Sequence, residues 1–198
     1  MQDPTAAGRP FVTRRIEDRP LVRLVRRHHP SSTGVGWGAS RFVPDAGSLP
    51  PPERFRALYG ASDLTTAFAE TVLRDAAVGQ PDRYPLSLDE LGEWDVAELR
   101  ADGLVAVDLT GPHLVAARVA THAVRAMDQS DGQTLGLEIH GDPRAFDGVL
   151  YPSRLTGAEN LVVFERAISE HVTAISRRPL LEEPGFAAVL DDLAVVIA

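Results

Sequence analysis

Hydrophobic and polar positions alternate along Pro20-Leu21-Val22-Arg23-Leu24-Val25-Arg26, which puts Leu21, Arg23 and Val25 on one side and Val22, Leu24 and Arg26 on the other. That two-residue period predicts a strand. A second strand is expected at Leu58-Tyr59, and a helix follows it. Ser62 or Asp63 can cap this helix by accepting a bond from an orphan amide. Leu64, Ala67, Phe68 and Thr71 then share its buried face, Glu70 lies beside that face, and the helix is expected to fade near Asp75. Ser87-Leu88-Asp89-Glu90 has capping-box spacing and starts another helical turn. Two apolar runs, 94–99 and 104–109, flank Ala101-Asp102-Gly103 and read as strands joined by a turn, with a hairpin as the simplest arrangement. Segments 112–119 and 121–127 read as short helices, and 130–140 as a longer one ended by Gly141 and Pro143. Segments 147–151, 160–164 and 168–175 read as strands. Arg41-Phe42 is expected to be a short strand between a glycine-rich loop, 28–40, and a proline-rich loop, 44–53. The mostly apolar stretch from Phe186 to Ile197 should pack on the body or on a partner chain.

Short strands and helices are interspersed without the regular repeat of a doubly wound sheet, so the expected fold is α+β. At 198 residues the chain is expected to form one domain. Residues 1–18, with Gln2, Asp3, Pro4, Gly8 and Pro10, offer little to bury and are expected to be a loose arm. Residues 19–198 are expected to hold the catalytic domain, including the apolar tail.

Composition narrows the chemistry. There is no cysteine, which removes disulfides, thiolate metal sites and a cysteine nucleophile. A net charge of -8 argues against broad nucleic-acid binding. No apolar run reaches the length of a membrane span, and the first ten residues carry no signal-peptide pattern. A cytoplasmic location is the expectation. The six histidines show no His-Glu-x-x-His spacing, so no metal site is expected. No Gly-x-Ser-x-Gly elbow is present, and Gly34-Val35-Gly36-Trp37-Gly38 is neither a P-loop nor a Rossmann fingerprint. That loop does lie between Arg23 and Arg41, two arginines in apolar surroundings that could fork onto a diphosphate. Taken singly, Tyr59 is an ordinary strand aromatic, Ser153 a turn residue and Asn160 a cap or turn residue.

Together these pieces resemble the RES domain, named for an arginine, a glutamate and a serine. The resemblance runs in order through Leu21-Val22-Arg23-Leu24, Gly36-Trp37-Gly38-Ala39-Ser40-Arg41-Phe42, Leu58 to Ser62 and Ala67-Phe68-Ala69-Glu70-Thr71. It continues through Ser130-Asp131-Gly132-Gln133, Asp147 to Arg154 and Asn160 to Phe164. Two departures stand out. Leu24 replaces the aromatic that often follows the first arginine, and Ala39-Ser40-Arg41-Phe42 replaces a Gly-Gly-Arg-Trp-like run.

The resemblance implies an ADP-ribosyltransferase-like fold and the toxin half of a toxin-antitoxin pair with an Xre-like antitoxin. It implies depletion of NAD+, a substrate and not a bound cofactor, by cleavage of the nicotinamide-ribose bond with water or phosphate as acceptor. Transfer of ADP-ribose to a protein, or a partner-binding module without catalysis, are the alternatives. Residue by residue it implies Glu70 and Arg23 as catalytic, and Arg41, Tyr59, Ser130, Ser153 and Asn160 as substrate-binding. Ser130 and Ser153 are both candidates for the named serine.

Overall fold

The computed structural model describes residues 9–198 except 75, 77, 78, 80 and 81. The expected end of the first helix near Asp75, and the loose arm before Arg9, therefore lie outside the described residues. Eight strands form one curled sheet in the order β1-β6-β7-β8-β3-β2-β5-β9. In chain order they are β1 (Thr13–Ile16), β2 (Arg19–Arg26), β3 (Ala57–Ala61), β5 (Trp94–Ala101), β6 (Leu104–Asp108), β7 (Gly148–Pro152), β8 (Glu159–Phe164) and β9 (Val172–Pro179). A small second sheet pairs β4 (Tyr84–Leu86) with β10 (Val195–Ile197). The helices are α1 (Leu64–Phe68), α2 (Leu88–Gly92), α3 (Pro112–Ala116), α4 (Thr121–Arg125), α5 (Ser130–His140), α6 (Glu165–His171) and α7 (Phe186–Asp192). The mixed α+β expectation holds.

Strand alternation sorts the core onto the two faces of the sheet. Val107, Val149, Tyr151, Val162 and Phe164 pack with Val124, Leu135 and Ile139 of α4 and α5. Leu24, Ala61 and Val96 pack with Ala67 and Phe68 of α1 and with Phe186 and Val189 of α7. Leu21, Val25, Leu58, Leu161 and Val163 face the other way, toward Ala167 and Ile168 of α6. Phe68 is fully buried edge-on to Phe186, with ring centroids 5.4 Å apart. Burying such a ring contributes roughly 1.5–3 kcal/mol, enough to pin α1 to the body. The apolar tail therefore packs on its own chain.

One seam interrupts the sheet. β2 pairs with β5 over eight residues and β3 with β8 over five, yet β2 and β3 share the single register Val22↔Ala61. The strands splay there, and a cleft opens over the gap.

Four expectations change. Thr13–Ile16 falls in the segment expected to be loose, but it forms the edge strand β1 on β6, and Phe11 is buried. The runs around Ala101-Asp102-Gly103 are strands but not a hairpin. β5 pairs with β2 and β9, while β6 pairs with β1 and β7, because the turn amides bond outward to Ile16 O and His171 O. Residues 168–175 are half helix and half strand, since Ala167 and Ile168 bury one face of α6 before β9 begins. Arg41-Phe42 is not a strand but the tip of a bridge from Ser40 to Val43.

Candidate active site

Glu70 sits in a π-helical turn, Ala69–Leu73, that continues α1. Asp63 caps α1, its Oδ1 accepting from Thr66 N at 2.7 Å. The backbone and Ser62 bonds to this carboxylate outweigh its partial burial and hold its pKa below the usual value. A wide turn of this kind is common at functional sites because it re-aims a side chain. Here Ala69 and Leu73 stay in the core while Glu70 projects, half-buried, into the cleft.

Ser153, buried and not itself a lining residue of the cleft, holds Glu70 from behind the wall. Its hydroxyl donates to Glu70 Oε1 at 2.6 Å and accepts from Leu155 N at 3.1 Å and Thr156 N at 3.2 Å. Ser153 is 1% exposed, so its single proton has a fixed direction. A second tie runs beside it, Thr66 Oγ1 to Thr156 Oγ1 at 2.9 Å. The two bonds lock the helix carrying Glu70 onto the turn between β7 and β8.

The remaining wall comes from β3, β8 and the bridge at residues 40–43. The Tyr59 hydroxyl accepts from Ser40 Oγ at 2.7 Å and from Phe42 N at 3.1 Å. These bonds grip the chain on both sides of Arg41. Burial pushes the Tyr59 phenol up to about 12, against the pull of Ser40, Phe42 and Arg41. Arg41 is buried, and its Nη1 donates to Ala126 O at 2.9 Å. α5 presses on this segment from behind. A Cβ on Gly132 would stand 2.5 Å from Arg41 O, and one on Gly136 would stand 2.7 Å from the carbonyl carbon of Phe42. Only glycine lets the two backbones approach this closely.

Arg23 reaches the cleft from β2. Its Nη1 donates to Ser32 O at 3.1 Å and its Nη2 to Gly34 O at 2.9 Å. It therefore ties the glycine-rich loop, which leads to Arg41, back onto β2. Burial lowers its pKa to about 10, which leaves it charged at neutral pH.

The cleft has a volume of about 320 Å3 and brings together Arg23, Arg41, Tyr59, Glu70 and Asn160. That volume is at the lower end for small-molecule sites. Asn160 is 4% exposed, and its Nδ2 has no hydrogen-bond partner among the described residues. A buried donor left open on a cleft wall is costly unless a ligand uses it. Ser130 is exposed at the start of α5 and does not line the cleft, although its neighbour Gln129 does, and it has no bond to Glu70 among the described residues.

Tyr151, Gln129, Arg74 and Arg154 also line the cleft and were not singled out from the sequence. Tyr151 carried a usable signal, since it alternates with Val149 on the strand entering Ser153. Its phenol is raised well above the ordinary value by burial, then by Tyr59 and Glu70. It stays protonated beside Glu70.

The chain is 30% identical over 127 residues, 63% of its own length and 99% of the relative's, to a protein from Sinorhizobium fredii described as probable toxin y4kH. Its fold matches a chain of the crystal structure of the M. tuberculosis MbcT-MbcA toxin-antitoxin complex with a TM-score of 0.65 at 20% identity, over 90% of this chain and 91% of that one. A family model described as the RES domain matches residues 15–181, and with most of its length inside that match this chain belongs to the RES domain family.

Proposed function

We propose that this protein is the toxin of a toxin-antitoxin pair and depletes NAD+ by cleaving the bond between nicotinamide and ribose. The observation that carries the reading is the hydrogen bond from buried Ser153 to Glu70, which lines one cleft together with Arg23 and Arg41. An arginine, a glutamate and a serine from distant parts of the chain meet at one site. The relatives' descriptions as a probable toxin and as part of a toxin-antitoxin complex support the biological role and an antitoxin partner; that this partner is Xre-like rests on the family resemblance.

Cleavage proceeds through an oxocarbenium-like transition state, with positive charge growing on the ribose. Ser153 holds Glu70 Oε1, and Oε2 takes a ribose hydroxyl while the carboxylate faces the developing charge. Nicotinamide leaves with the electron pair of the broken C–N bond. An oxygen of water or phosphate supplies the new pair to the sugar carbon and releases its proton. Tyr59 offers a ring face to the cationic nicotinamide. Asn160 Nδ2 donates to the carboxamide or the ribose. Arg41 and the N–H groups of Arg23 not spent on the loop receive the diphosphate, a positioning effect.

The test is to incubate the purified protein with NAD+, with and without phosphate, and to identify the products by chromatography. Release of nicotinamide is the expected result. Glu70→Gln should lose turnover and keep NAD+ binding, and consumption at the parent rate by that variant would end the proposal.

A further inference from the structure

Arg74 ends the turn that carries Glu70, and two features set it apart. Its backbone sits at φ 45°, ψ −119°, a region that side chains with a Cβ avoid. Its amide still donates to Ala69 O at 2.7 Å, so the π turn enforces this conformation. The second feature is the guanidinium. It lines the cleft, the residue is exposed, and among the described residues it makes no hydrogen bond or ion pair. Arg23 and Arg41 are each already engaged with backbone carbonyls. Strained residues persist where the surrounding structure fixes them, and they gather at ligand sites.

We propose that Arg74 is a substrate-binding residue that takes a phosphate of the dinucleotide at the mouth of the cleft. The inference rests on the NAD+ reading given above. The cleft of about 320 Å3 is small for a whole dinucleotide, so with the nicotinamide-ribose end next to Glu70 the exposed Arg74 would join Arg23 and Arg41 on the diphosphate from the solvent side. A guanidinium exposed on the cleft is suited to such an anion, since its planar fork matches phosphate oxygens.

Arg74→Gly separates the two features, because glycine accepts the positive φ and removes the cation. The expected result is a rise in Tm of roughly 2–4 °C together with about tenfold weaker binding of ADP-ribose by calorimetry. Arg74→Lys should recover part of the affinity. In turnover, Arg74→Gly should raise KM for NAD+ and leave kcat nearly unchanged, while cleavage of nicotinamide riboside, which has no phosphate, should be unaffected. Unchanged ADP-ribose affinity would overturn the inference, and so would an equal loss with NAD+ and nicotinamide riboside. If the parent protein does not cleave NAD+, the proposed function fails, and the Arg74 inference is decided by calorimetry with ADP alone: equal affinity for parent and variant overturns it.

Discussion

Gly136→Ala tests the contact between α5 and the segment that carries Arg41. The added methyl would stand 2.7 Å from the carbonyl carbon of Phe42, where ordinary contact begins near 3.4 Å, and the obstacle is backbone. In an open helix the same change gains up to about 1 kcal/mol from helix propensity. Here the overlap costs about 1–3 kcal/mol, and more where the backbone cannot move. The balance favours net destabilisation of up to about 2 kcal/mol, read as a fall in Tm of up to roughly 8 °C for a chain of this size. Relief comes from pushing residues 41–42 away from α5. That motion strains the bonds from Phe42 N to Tyr59 and from Arg41 to Ala126 O. A displacement of ~1 Å in a positioning residue can cost about 100-fold in rate. Gly92→Ala is the control, since a Cβ at Gly92 meets nothing within 4 Å and the residue ends α2. The assay pairs thermal melting with NAD+ consumption for both variants. If Gly136→Ala melts at or above the parent temperature and turns over normally, the steric argument is wrong.

Ser153→Ala leaves the amides of Leu155 and Thr156 without their acceptor and Glu70 without its donor, so a stability loss of about 1–3 kcal/mol is expected. Steady-state kinetics should show the loss in kcat and little in KM. Tyr59→Phe removes the acceptor shared by Ser40 Oγ and Phe42 N, and chemical denaturation should register a similar cost. His140, stacked on Phe55 with centroids 4.0 Å apart, has its pKa lowered to about 4 by burial and then by Arg166, against the pull of Glu165. The unfolded chain binds this proton below about 6.5 while the folded chain does not, so stability should fall as pH drops from about 6.5 toward 4 and level off below. The difference in Tm between parent and His140→Gln across that range isolates the effect, which solvent at the half-exposed ring weakens. A difference that stays constant with pH would refute it.

Local patterns were legible and long-range pairings were not. The alternation of residues 20–26, the cap before Leu64 and the capping box at Ser87 all depend on neighbours a few positions apart, and each appears in the structure. Asp63 proves to be the capping residue, with Ser62 bonded to its other oxygen. The bond between Ser153 and Glu70 joins residues 83 positions apart, which no local signal encodes. The failed hairpin has the same origin, since turn chemistry says where a chain bends and not which strand it then meets. The π turn under Glu70 escapes notice for another reason: it shifts the buried face by one residue, which leaves the apolar spacing nearly unchanged.

The single register between β2 and β3 gives the sheet a fault line. On one side stand β1, β6, β7, β8 and β3, and on the other β2, β5 and β9, each group laced by its own ladders. Under mechanical load the molecule should part here first, as two plates separating and not as a strand peeling from an edge. Any ligand bridging Arg23 and Tyr59 spans that line and acts as a rivet, so occupancy would be felt as stiffness across the entire sheet.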